Sequence, residues 1–427
     1  GTITNEQYEN LKNKMKAICD SALKLKKIQG AYEFSENKKQ ISFFIRKNIT
    51  TEKLDRMKRL LSLDILRGLT VACMIMVNNP GSWGHMYPPL KHYIWDGCSP
   101  TDLVFPTFLF IVGASIWFAM RRFDQKLSKS AAIKIIKRGI LIFLVGEFLK
   151  MYPFYNLETF QIRGFGVLQR IGIVYTLGAL IALWLRSYKR IAICIVSLLV
   201  GYYIIVFAFG DATIEGYLGR KIDLAVFGEK RLPMRLGYHF AAEGILSTLG
   251  ALSTVLIGYM AGKFIGSRHS EDKSRTLQSF IYLTAIGGLM ITAGLIWNGL
   301  FPINKPTWSS SYVLYAAGIA MQLWALTSYL TDYLGKTSGL TTFFRVFGTN
   351  ALFSFALSSV IVRTIKLPPF LWEAGGKTTS LSGHFYNYFS SLTGNPELAS
   401  LLWSLVMVAL CWAITYPLYR KKIFIKL

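Results

Sequence analysis

Asp102-Leu103-Val104-Phe105-Pro106-Thr107-Phe108-Leu109-Phe110-Ile111-Val112-Gly113-Ala114-Ser115-Ile116-Trp117-Phe118-Ala119-Met120 carries one charge, at its first residue. At 1.5 Å per residue, a helix of that length covers a hydrocarbon core of about 30 Å. The run is continuously apolar, unlike the alternating segments of about ten residues that build a membrane barrel. Runs of the same kind recur at about 62–79, 132–149, 166–185, 190–209, 244–264, 278–297, 311–330, 343–363 and 398–419. With 52% of its 427 residues hydrophobic, the chain is too apolar for a soluble globular mixture. The expected fold is an all-α integral membrane protein with about ten transmembrane helices in one bundle.

The 48 Lys and Arg against 23 Asp and Glu give a formal net charge of +25. The basic stretches lack interleaved stacking aromatics, which argues against nucleic acid. Topology accounts for them instead. Arg121, Arg122, Lys126, Lys129, Lys134, Lys137 and Arg138, then Arg186, Lys189 and Arg190, then Lys263, Arg268, Lys273 and Arg275, then Arg420, Lys421, Lys422 and Lys426 all fall on one side if both termini are cytoplasmic. The exception is the outer loop at about 210–243, with Arg220, Lys221, Lys230, Arg231 and Arg235, which reads as facing an anionic partner. Five cysteines without CxxC spacing indicate neither a disulfide framework nor a metal site. Residues 1–57 are polar and Lys-rich, and read as an N-terminal extension or the product of an upstream start; 58–427 read as one polytopic transmembrane domain.

The outer connections are longer than most inner ones, so a site open to the outer side is expected. Ionisable groups inside spans are costly in lipid and mark candidates. In the first span Asp64 and Arg67 are three apart and share a helix face, either as a structural ion pair or as part of a site. Asn78 lies eleven residues beyond Arg67, about three turns and 16 Å further out on that face. The separation suits a pantetheine arm, with Arg67 at the phosphates and Asn78 at the thioester. The following loop, from Pro80 to Asp102, holds His85, His92, Trp83, Trp95, Asp96 and Cys98. A histidine oriented by Asp102 would make a general base, while Thr101 or Asp102 as a helix cap and the aromatics as an interfacial belt are the bland alternatives.

Ser62-Leu63-Asp64, Asn78, Lys91-His92, Trp95-Asp96-Gly97 and Asp102-Leu103-Val104-Phe105-Pro106 together resemble the heparan-α-glucosaminide N-acetyltransferase family and its bacterial relatives. Gly166-Val167-Leu168-Gln169-Arg170-Ile171, Glu243-Gly244-Ile245-Leu246-Ser247-Thr248, Phe301-Pro302-Ile303-Asn304-Lys305 with Trp308, and Gly348-Thr349-Asn350-Ala351-Leu352 continue the resemblance over roughly 58–420. It implies a transmembrane acetyltransferase that uses cytoplasmic acetyl-CoA to acetylate a glucosamine-like amino sugar on the periplasmic side of a bacterial inner membrane. His92 takes the catalytic role, Asn78 a place at the acetyl group, and Trp95, Asp96 and Asn350 places at the substrate. The opening Leu63-Asp64-x-x-Arg67-Gly68 also resembles a wider superfamily of membrane acyltransferases, with Asn78 where that group carries histidine. One departure is Ala241-Ala242-Glu243-Gly244, where the family reads Asp-Pro-Glu-Gly. The lumenal domain of the animal enzymes is not matched, so a small amino sugar or cell-wall fragment is expected over an oligosaccharide.

Gln169 and Arg170 read as substrate contacts or as hydrogen-bonding groups between helices. Glu243 reads as a substrate contact or as a first-turn acid matched to the helix dipole. Asn304, Lys305 and Trp308 suit bonding to and stacking on a sugar, with an interface anchor as the alternative. Arg122 and Arg138 suit the nucleotide end of CoA, and positive-inside bias explains them equally well. The expected partners are acetyl-CoA, an amino sugar or glycan acceptor and the lipid bilayer, with a homodimer left open and no nucleic acid or metal. Competing functions are a transporter of sugars or peptidoglycan fragments and an O-acyltransferase acting on a surface glycan.

Overall fold

A computed structural model of the protein describes residues 60–154, 166–268, 273–367, 370–374 and 377–425, without the side chains at 122, 273, 372–374, 377 and 378. The extension at 1–57 therefore lies outside the described residues, as does most of the connection after the third expected span. Helices dominate the rest: α1 (Leu61–Asn78), α2 (Val104–Met120), α3 (Lys129–Met151), α4 (Val167–Leu185), α5 (Tyr188–Phe209), α6 (Leu218–Phe227), α7 (Thr248–Arg268), α8 (Lys273–Trp297), α9 (Ser310–Ser328), α10 (Gly339–Thr349), α11 (Ala351–Thr364), α12 (Leu381–Thr393) and α13 (Pro396–Arg420). Two short antiparallel ribbons accompany them, β1 (Met234–Arg235) with β2 (Tyr238–His239) and β3 (Leu371–Ala374) with β4 (Lys377–Ser380).

Among the described residues, eight helices are long and apolar enough to cross a membrane, or nine if one bent pair counts as a span. The protein is thus an all-α membrane protein, as its sequence pattern predicts. Two of the ten expected spans take a different form. The run at 132–149 lies within α3, a continuous helix of 23 residues with Lys134, Lys137 and Arg138 toward one end and Glu147 and Lys150 toward the other. Its length suffices to span, but only its middle is free of charge. The run at 343–363 breaks at Asn350 into α10 and α11, bent by 82°. The sixth span also starts later than expected: residues 241–247 form a turn before α7, and the Gly244 carbonyl and Ser247 hydroxyl of that turn accept from Arg170 of α4.

Without water to solvate the backbone, helices in lipid associate through close packing, and small residues permit it. A Cβ at Gly68 of α1 would overlap the Phe344 carbonyl of α10, and one at Gly348 would overlap the Asp64 carbonyl. These two glycines therefore bring α1 and α10 into backbone contact. The residues of α7 are mostly buried, whereas α5 and α8 leave most of their surface outward, as lipid-facing helices do. The core is continuous through α1, α2, α4, α7 and α9, with Leu66, Val71, Phe110, Ile111, Val174, Val255, Tyr312 and Trp324 fully enclosed.

Candidate active site

Between α1 and α2 the chain makes a long loop that ends in a 3-10 turn, Pro100–Leu103. Ser99 caps that turn by accepting from the Asp102 amide, and the Asp102 carboxylate accepts in return from the Ser99 amide, a capping box. The capping alternative raised for Asp102 is correct and does not exclude the chemical one. Oδ2 of Asp102 accepts from the Ser99 amide at 3.0 Å, the Ser99 hydroxyl at 3.0 Å and the Tyr93 amide at 3.1 Å. Oδ1 is left for two further groups: His92 Nδ1 at 2.7 Å and Lys305 Nζ at 3.2 Å. The carboxylate is 1% exposed, and the His92 side chain is 35% exposed. A buried, fully bonded acid thus holds a histidine whose Nε2 has no partner among the described residues.

Lys305 comes from the α8–α9 connection, over 200 residues away in sequence, and its arrival has a backbone cause. Gly97 pairs in parallel with Asn304, its amide donating to the Ile303 carbonyl at 2.8 Å. The Asn304 amide donates to Asp96 Oδ1 at 3.1 Å, and its oxygen accepts from the Thr307 amide at 2.9 Å. Gly97 has φ +112°, and a Cβ there would strike the Tyr93 ring, so this crossing requires glycine. Lys305 Nζ then stands 3.0 Å from His92 Nδ1. Burial holds the Lys305 ammonium below the usual lysine range, while the Asp102 charge and hydrogen bond pull it back up. Burial, with the Asp102 charge, pushes the nearby Cys98 thiol up to about 12, so Cys98 is no thiolate nucleophile.

Other candidates fall into distinct places. Asn78 ends α1 and is exposed, without a side-chain partner among the described residues. Trp95 donates to the Ala212 carbonyl at 2.9 Å and meets Phe240 edge-on, which ties the histidine loop to the 210–243 connection. Glu243, half-buried and without a hydrogen bond or ion pair among the described residues, lies near enough for its charge to act on Arg170, Arg235 and Lys305. Arg170 is 2% exposed, stacks over Trp308 and donates to Gly244 and Ser247. Gln169, also buried, donates to Glu147 of α3 at 2.7 Å. That carboxylate is legible in the sequence as an intramembrane acid, yet its partner follows only from the packing of α3 on α4.

Several expectations need correction. Trp308 is 1% exposed, donates from its indole to Thr254 and packs against Phe105 and Tyr312, so its ring is enclosed and not offered to a sugar. Asn304 is 2% exposed, and its amide builds the turn described above. Asn350 lies beside the N-terminal end of α1, opposite the end from which the histidine loop leaves, and bonds Ile423 and Ile425 of the C-terminal tail; it braces the helix break and is remote from His92. Arg67 pairs with Asp64 at 3.0 Å and also donates to Ser115 of α2 and the Gly348 carbonyl, joining three helices. Arg138 lies over the Tyr175 ring, and the Arg122 side chain is outside the described residues. In the basic connection at 210–243, Arg235 donates to the Tyr93 and Ile94 carbonyls and clamps the histidine loop, while Arg220 bonds the His239 and Glu215 carbonyls. Those two arginines serve the fold of this face.

The chain is thus a polytopic helical membrane protein that holds a histidine against a buried carboxylate in the loop between α1 and α2. Residues 59–292 match the family described as heparan-alpha-glucosaminide N-acetyltransferase, catalytic, and the chain belongs to that family. The match includes His92, Asp102, Arg170 and Glu243 and ends before Lys305. Among curated proteins, the chain is 26% identical to the heparan-alpha-glucosaminide N-acetyltransferase of Homo sapiens and 24% identical to that of Mus musculus. Each match covers 86% of this chain and 60% of the relative. The chain therefore spans about three fifths of the length of these relatives.

Proposed function

We propose that the protein is a transmembrane acetyltransferase that moves the acetyl group of cytoplasmic acetyl-CoA onto the amine of a glucosamine-like sugar on the periplasmic side of a bacterial inner membrane. The observation that carries this reading is the 2.7 Å bond between His92 and the buried Asp102 in a chain of this family. Nδ1 is engaged by Asp102, so Nε2 is the nitrogen that takes a proton. As the amine attacks the thioester carbon, the N–C bond forms and the C–S bond breaks. The amine proton passes to Nε2 and then to the departing CoA sulfur. Asn78, exposed at the outer end of α1, donates to the developing oxyanion, a contribution of about 3 to 4 kcal/mol for one donor in other enzymes. The nucleotide end of CoA lies toward the inner end of α1, where the basic residues after α2 supply cations, while Arg67, paired with Asp64, holds α1 against α2 and α10.

Purified protein in detergent, given acetyl-CoA and a panel of amino sugars, should release free CoA thiol and form an acetylated sugar. The product should survive mild alkali, because amides persist where esters hydrolyse. An alkali-labile product would assign an O-acyltransferase. Absence of both acetyl-CoA binding and product would overturn the proposal.

A further inference from the structure

Three atoms, His92 Nδ1, Asp102 Oδ1 and Lys305 Nζ, lie within 2.7 to 3.2 Å of one another. We infer that Lys305 is a positioning residue of the acetyl transfer: its positive charge, matched to Asp102, keeps His92 in the neutral, proton-accepting form. The inference rests on the reading of His92 as the base.

The geometry limits the protonation states. An imidazole nitrogen 2.7 Å from a carboxylate oxygen needs a proton between them, or two lone pairs would face each other. Nδ1 therefore carries hydrogen and donates to Asp102. Lys305 must then also donate to Asp102 rather than to Nδ1, and the 3.0 Å approach of Nζ to Nδ1 is a contact between two donors that share one acceptor. With Oδ2 occupied by Ser99 and Tyr93, the single negative charge of Asp102 is already matched by Lys305. A neutral imidazole fits this arrangement. An imidazolium would place a second positive charge 3.0 Å from the first with no second anion in contact.

Among the described residues no second anion touches either group; Glu243 acts on Lys305 only through space. Among the charged groups acting on Lys305, Glu243 favours its charge and Arg235 opposes it. Cys98 stays a neutral thiol, and the Tyr312 hydroxyl donates to the Asp102 main-chain carbonyl at 2.6 Å.

The test is the pH–rate profile of Lys305→Met, measured with saturating acetyl-CoA in detergent, beside the parent, Lys305→Arg and His92→Ala. Without the cation, protonation of the histidine at low pH is easier. The acidic limb should move up by about one pH unit, lowering the rate on that limb about tenfold, while the plateau and the KM for the amino sugar change little. Lys305→Arg keeps the charge and should leave the limb where the parent has it. A uniform loss at every pH, an unmoved limb, or a rise in KM alone would overturn the inference and leave Lys305 a structural or acceptor contact. If Lys305→Met fails to fold, an upward shift of the limb in Lys305→Arg overturns it as well. His92→Ala separates the two levels: if that variant keeps its turnover, the assignment of the base has failed. If it loses turnover while the Lys305→Met limb stays put, only the role of Lys305 has failed.

Discussion

Replacing Asp102 by asparagine tests the site with almost no change of shape, and the structure dictates which way the new amide must turn. Three donors converge on Oδ2, two of them from Ser99 and one from the Tyr93 backbone, so the amide oxygen must stay there. The NH2 group then occupies the position of Oδ1 and faces His92 Nδ1 and Lys305 Nζ, both donors. To avoid a donor–donor clash, His92 must adopt the tautomer with hydrogen on Nε2 and accept the amide at Nδ1. That tautomer has no lone pair at the reacting nitrogen. In a serine-protease triad the same exchange lowers turnover by about 10⁴, and a loss of about 10³ to 10⁴, equivalent to roughly 4 to 5.5 kcal/mol of barrier, is expected here. The stability loss should be smaller, because only the charge-assisted bond to Lys305, about 1.5 to 3 kcal/mol, is given up outright. CoA thiol release from acetyl-CoA with glucosamine gives the rate, and acetyl-CoA binding by the same sample shows that the fold survives. A folded Asp102→Asn protein that keeps more than about a tenth of the parent rate would refute the tautomer argument.

His92→Ala should leave acetyl-CoA binding nearly intact and lower turnover by about 10² to 10⁴. His85→Ala should do far less in the same assay, because His85 bonds Tyr386 at 2.8 Å and Ser82 at 3.4 Å, away from Asp102. If both termini are cytoplasmic, a cysteine placed at Lys91 is labelled by an impermeant reagent in intact cells and one placed at Lys129 is not; the reverse pattern would put His92 on the wrong side for a periplasmic acceptor. Asp223, buried on α6, is pushed up to about 6 by burial, against the Ile245 amide bond and the Arg170 charge. Its value in the unfolded chain is about 3.9, so the native state binds this proton more tightly and stability falls as pH rises from about 4 to about 6, by up to about 3 kcal/mol. Asp223→Asn keeps an acceptor for Ile245 and should flatten that slope in thermal unfolding in detergent; an unchanged slope would show that another group produces it.

The membrane fold was legible in the sequence because lipid imposes a simple requirement: an apolar run of sufficient length must be helical, whatever it packs against. The expected ends of the first, second, fourth and fifth spans accordingly agree with the helices to within two residues. The pairing of Asp64 with Arg67 was equally legible, since a spacing of three puts both on one face. The pairing of a histidine with Asp102 was readable as chemistry and the capping role of Asp102 as local structure, but only the structure shows one carboxylate doing both, with Oδ2 on Ser99 and Oδ1 on His92. Tertiary structure alone decided which polar residues share a site. Asn304, Lys305 and Trp308 lie within five residues of one another, yet Lys305 joins His92, Asn304 builds the turn that delivers it, and Trp308 turns into the core. Asn350, which a sequence motif placed at the substrate, lies beside the other end of the bundle because α10 packs on α1 through Gly68 and Gly348. The physical reason is that span formation depends on local hydropathy, whereas the meeting of loops from different spans depends on how helices pack, and a small residue in one stretch of chain does not say which helix it will meet.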